Sequence, residues 1–108
     1  MTKTYKAAFI VPIGASRILG EDGWEFESSL RLSKKIGDDL IGTLKLKFLE
    51  EYSGIKKYAG EGIGMSMMFD DKHEVEIIYF QLSGGALASL SEIRQCIDVS
   101  SEAEIFVP

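Results

Sequence analysis

From Trp24 to Ser33 the chain alternates without a break: Trp24, Phe26, Ser28, Leu30 and Leu32 share one side of an extended segment, and Glu25, Glu27, Ser29, Arg31 and Ser33 share the other. Successive side chains of a strand point to opposite faces, so the pattern predicts a strand over residues 24–33 with one apolar and one wet face. An apolar face must be covered, and in a chain of 108 residues the cover has to come from the same single domain, residues 1–108.

The rest of the chain supplies that cover. Lys3 to Val11 places Tyr5, Ala7, Phe9 and Val11 on one face and Ala8 and Ile10 on the other, so both faces are apolar, as suits an interior strand. Two lysines before Ala7–Val11 also give this start a faint likeness to a signal peptide, but the apolar run is short and broken by Pro12, and a core strand is the reading taken. Gly37-Asp38-Asp39, followed by Leu40, Ile41, Leu44, Phe48, Tyr52 and Ile55, predicts a helix over 38–52 that stops at Ser53-Gly54. Leu44 to Phe48 also alternates like a strand, and Gly42 and Thr43 weaken the helix. Gly60, Gly62 and Gly64 read as a flexible connection.

Met65–Phe69 and Glu74–Leu82 flank Asp70-Asp71-Lys72-His73 as an antiparallel hairpin, with Met65, Met67 and Phe69 on its core side. After Ser83-Gly84-Gly85, the spacing of Leu87, Leu90, Ile93 and Ile97 predicts a helix over 86–98, and Ala103–Val107 a last strand. The expectation is an α+β two-layer sandwich: a mainly antiparallel sheet of about five strands with two helices on one face, in the order β-β-α-β-β-α-β, ferredoxin-like with an extra N-terminal strand.

Twelve basic against seventeen acidic residues give a net charge of −5, a field that repels phosphate backbones and anionic lipid, so nucleic acid and membrane are not expected partners. Residues 31–57 carry net +3, which leaves −8 on the remainder and an acidic face suited to a basic protein. No segment has the length of an apolar membrane span, and the single cysteine, Cys96, closes no internal disulfide, so the simplest compartment is the cytoplasm.

Catalytic signatures are missing from the sequence. There is no Gly-x-Ser-x-Gly, no dinucleotide fingerprint and no Gly-Lys-Ser/Thr ending, and Gly60 to Gly64 follows a predicted helix where a nucleotide loop follows a strand. Cys96 falls in the last turn of its predicted helix, the end whose dipole disfavours a thiolate. Asp70, Asp71, His73 and Glu74 crowd three carboxylates and the only imidazole together, but in no cation-loop pattern, so they read as a solvated turn and neither metal nor cofactor is expected. Ser83, Gly84 and Gly85, between a strand and a helix, are the candidate anion site. Glu21, Asp22, Trp24, Glu25 and Glu27 are the candidate partner surface: acids around an aromatic anchor, with Glu25 and Glu27 on the wet side of a strand.

In size, acidity and lack of catalytic motifs the whole chain resembles, in general character, the small bacterial immunity proteins that neutralise toxic nucleases of contact-dependent and related competition systems. The resemblance rests on no motif and carries over no residue. It implies a non-catalytic inhibitor that masks the active surface of a basic toxin domain. The alternatives are a small-molecule-binding regulatory domain of ferredoxin-like type and, last, a small enzyme built on Cys96 or on the Asp70–Glu74 cluster.

Overall fold

The computed structural model describes residues 5–21, 23–83, 89–100 and 102–108. Its elements are β1 (Tyr5–Pro12), β2 (Ser16–Gly20), β3 (Gly23–Glu27), α1 (Lys34–Leu44), β4 (Lys47–Tyr52), β5 (Ile55–Gly60), β6 (Ile63–Phe69), β7 (Val75–Ser83), α2 (Leu90–Ser100) and β8 (Ala103–Phe106). Six strands form one sheet in the order β4-β5-β6-β7-β1-β8, with every neighbouring pair antiparallel. β2 and β3 form a separate two-stranded hairpin.

Both faces of β1 are used as its sequence demands. Ala8 and Ile10 are fully buried among Ile36 and Leu40 of α1, Ile93 and Ile97 of α2 and the inward residues of β6 and β7. Phe9, on the opposite face, meets Phe26 of the hairpin. The protein is thus α+β, with two helices over one face of an antiparallel sheet and a hairpin over part of the other. Met65 and Met67 lie in the helix-side core, while Met68 is half-buried on the far face.

The element order departs from β-β-α-β-β-α-β. Four strands, β4 to β7, separate the two helices, and they run as a continuous antiparallel meander, so the ferredoxin-like arrangement of two strands between helices is not the one formed. The difference begins at Ser33. Its side chain accepts from the Lys35 backbone N–H at 3.2 Å and starts α1 ahead of the expected Asp38. α1 then stops at Lys45, which takes a left-handed conformation at φ 54°, with the Leu46 N–H donating to the Ile41 carbonyl at 3.0 Å. Residues 47–52, expected to be helical, instead form β4.

Ser53 and Gly54, expected to end the helix, are the turn of the β4–β5 hairpin. Both have positive φ, 52° and 78°, which is the twist a two-residue antiparallel connection needs. Residues 55–60, expected to be a connection, pair with β6 along their whole length. The predicted strand over 24–33 ends at Glu27, because Ser28 Oγ accepts from the Leu30 N–H at 3.0 Å and turns the chain. Leu32 is nevertheless buried, through a single bridge to Val75. The second helix runs from Leu90 where 86 was expected; residues 84–88 lie outside the described ones.

Candidate partner-binding hairpin

β2 and β3 pair in a register that sets Arg17 opposite Phe26 and Leu19 opposite Trp24 on one face, and Ser16 opposite Glu27 and Ile18 opposite Glu25 on the other. The first face is held to the sheet by rings. Trp24 meets Phe106 edge-on at 4.8 Å between centroids, Phe26 lies 5.8 Å from Phe106 and 5.0 Å from Phe9, and Phe9 in turn lies 4.9 Å from Tyr79. Edge-to-face and tilted contacts at these distances each add about 0.5–1.5 kcal/mol beyond the area they bury.

Arg17 completes the attachment. Its guanidinium sits 4.8 Å from the Phe106 ring centre and forms an ion pair with Glu104 of β8. The one base on the hairpin is therefore directed into the sheet, which leaves the outward face to Glu25 and Glu27. Both acids are exposed, and among the described residues neither forms an ion pair. Exposed Ile18 stands across from Glu25, and Leu19, 65% exposed, stands near the tip beside exposed Glu21. Trp24 is half-buried and belongs to the ring cluster, and Asp22 lies outside the described residues.

The hairpin's second half was legible from the alternation of Trp24 to Glu27; β2 was not. Ser16-Arg17-Ile18-Leu19-Gly20 carries no strict alternation, and residues 13–23 read as a connection. The usable signal was the pair of glycines, Gly20 and Gly23, with two residues between them and ahead of an alternating run. Ile18 on the outward face, and Arg17 in the attachment to the sheet, were found only through that pairing.

The other candidate positions resolve differently. Ser83 belongs to β7, and both its donors are taken, since its N–H reaches the Gly62 carbonyl at 2.9 Å and its hydroxyl the same oxygen at 3.3 Å. Ser83 is therefore a sheet residue with no free amide to offer an anion, and Gly84 and Gly85 lie outside the described residues. Asp70 organises its own turn. Oδ1 accepts from the Lys72 and Glu74 N–H groups at 2.8 and 2.9 Å, and Oδ2 accepts from Arg31 Nε at 2.8 Å. The Arg31 hydrogen bond, followed by that from the Glu74 N–H, holds the Asp70 carboxyl down at about 2. His73 is exposed in a left-handed conformation, φ 61°, at the same turn. Among the described residues no three His, Cys, Asp or Glu side chains converge as a metal site.

Cys96 lies well inside α2, short of the last turn expected for it. Half-buried, its Sγ is 3.7 Å from Thr43 Oγ1 where the two helices meet. No helix among the described residues is long and apolar enough to cross a membrane. No protein-family model matches the chain, and no curated protein or solved structure does either.

Proposed function

We propose that this chain is a non-catalytic binding module whose β2–β3 hairpin presents Glu25 and Glu27 to a basic protein partner. One observation carries the reading: the hairpin turns its rings and its only base toward the sheet, so the acids stand on a braced, outward face with exposed Ile18, while Leu19 is exposed near the tip. A charged rim around apolar contacts is the composition of a protein-recognition surface, and like charges arranged on one face speed the approach of an oppositely charged partner. The type-level resemblance to immunity proteins extends this reading: the partner is a toxin domain of nuclease type, and masking its cationic substrate surface is the inhibition. The regulatory-domain alternative in its ferredoxin-like form loses its fold ground with the element order.

The test is capture on immobilised wild-type chain and on the Glu25→Lys/Glu27→Lys variant, from a lysate of the producing cell, at low and then moderate salt. The expected result is a basic protein retained at near-equal stoichiometry by the wild type only, released by salt, whose nuclease activity is suppressed when the wild-type chain is added back. Equal retention by both forms removes the hairpin from the interface, and a retained protein with no suppressible activity removes the inhibitor reading.

A further inference from the structure

On the helix side of the sheet, away from the hairpin, a cleft of about 320 Å³ opens between the start of α1 and the β4–β5 end of the sheet. Its floor is apolar: Tyr58, Met67 and Phe69, neighbours on the core-facing side of β5 and β6. Its walls carry both signs of charge. Lys34 and Asp38, one helical turn apart on α1, line one wall, and Lys56 and Glu51, directly opposed across the β4–β5 pair, line the other.

Among the described residues none of these four forms an ion pair within 4.0 Å. The Lys56 ammonium instead lies 5.2 Å from the centre of the Phe69 ring at the floor. Two ammonium and two carboxylate groups thus border one concave surface while leaving its centre open. A purely anionic ligand would meet both carboxylates, and a purely cationic one both ammonium groups. A ligand that carries both signs on an apolar body pairs with each wall and covers the floor. The volume lies at the small end of the ~300–1,000 Å³ typical of ligand pockets, which sets the scale at a single small molecule.

We propose that this cleft binds a small zwitterion with an apolar side group, of the amino-acid class. The carboxylate goes to Lys34 and Lys56, the ammonium group to Asp38 and Glu51, and the side group onto Tyr58, Met67 and Phe69. The cleft and the hairpin lie on opposite faces of the sheet, so this site stands or falls independently of the partner surface.

The experiment is an amide-resolved NMR titration of the full chain with L-phenylalanine, L-methionine and L-leucine as probes, beside N-acetyl-L-phenylalanine, L-phenylalaninamide and inorganic phosphate. Saturable shifts at residues 34–38, 56–58 and 67–69 with a free amino acid are expected. Blocking either charge weakens binding at least about tenfold, as does Lys56→Met or Asp38→Asn, variants whose unchanged spectral dispersion reports an intact fold. The proposal is overturned by the absence of saturable shifts for all three amino acids at roughly millimolar concentration. It is equally overturned if the blocked compounds bind as well as the free one, or if phosphate alone produces the same shifts at the same affinity, which would make the cleft an anion site.

Discussion

Arg31 Nε and Asp70 Oδ2 stand 2.8 Å apart across 39 residues of sequence, and this contact ties the segment leading into α1 to the β6–β7 turn. The same guanidinium reaches the Ser28 and Leu30 carbonyls through Nη1, both at 2.9 Å, and Glu76 through Nη2 at 3.9 Å. One side chain thus closes the turn that ends β3 and buttresses the turn that reverses β6.

Asp70 gives this contact a pH signature. Its carboxyl is lowered from 3.8 to about 2 in the folded chain, so the stabilisation it provides is complete above about pH 5 and is lost progressively as pH falls through about 2. Urea titrations of the wild type and Asp70→Asn between pH 2 and pH 6 are expected to show the wild type ahead at neutral pH, with the gap closing through that window. A gap independent of pH would detach the effect from the ionised carboxylate.

Two glycines of α1 answer the same substitution differently. A Cβ on Gly37 would lie 2.5 Å from Met67 Cε, whereas one on Gly42 would meet nothing within 4 Å. Gly42→Ala is expected to raise stability by about 0.5–1 kcal/mol through helix propensity, and Gly37→Ala to gain less, because the end of the Met67 side chain must shift to admit the methyl group. Denaturant midpoints of the two variants check the ordering.

Phe106 joins three parts of the chain: its ring contacts Phe9 of β1, Trp24 and Phe26 of β3, and the Arg17 guanidinium. Phe106→Ala is expected to cost roughly 2–4 kcal/mol, below the full range for a buried Phe because this ring is half-exposed. The emission of Trp24, the only tryptophan, should move to longer wavelength, and amide exchange should accelerate in β2 and β3 ahead of β6 and β7. Uniform acceleration across all strands would show that the hairpin is not a separately loosened unit.

Charge reversal at Glu25 and Glu27 should leave stability within about 0.5 kcal/mol, because both side chains are exposed and unpaired among the described residues. An unchanged thermal midpoint for the Glu25→Lys/Glu27→Lys variant separates loss of binding from loss of fold. A large drop would mean that the acids serve the hairpin itself.

The fold was legible where one periodicity ran unopposed. Ala8 and Ile10 against Phe9 announced an interior strand, and Met65 to Leu82 a hairpin, because strand alternation there had no helical competitor. It was misread between Lys45 and Tyr52, where Phe48 and Tyr52 continue the helical stripe of Leu40 and Leu44 although a left-handed lysine cuts the segment in two. Lysine is a residue that rarely adopts that conformation, so nothing local marked Lys45 as a stop. The candidate site was half legible: the outward placement of Glu25 and Glu27 follows from alternation alone, but Arg17 comes opposite Phe26 only through the β2–β3 pairing, and Phe106 is brought to Phe9 and the hairpin by a β1–β8 pairing that spans most of the chain.

The position of β1 between β7 and β8 also sets an order of assembly. β1 precedes both of its neighbours in the chain and finds them only after Val75 to Ser83 and then Ala103 to Phe106 have followed it. The β4–β7 meander closes by short local steps, whereas β1 waits through the synthesis of most of the chain with two apolar faces and both edges unsatisfied. β1 is therefore the strand whose partners arrive latest, and its capture between β7 and β8 is the long-range event that completes the sheet.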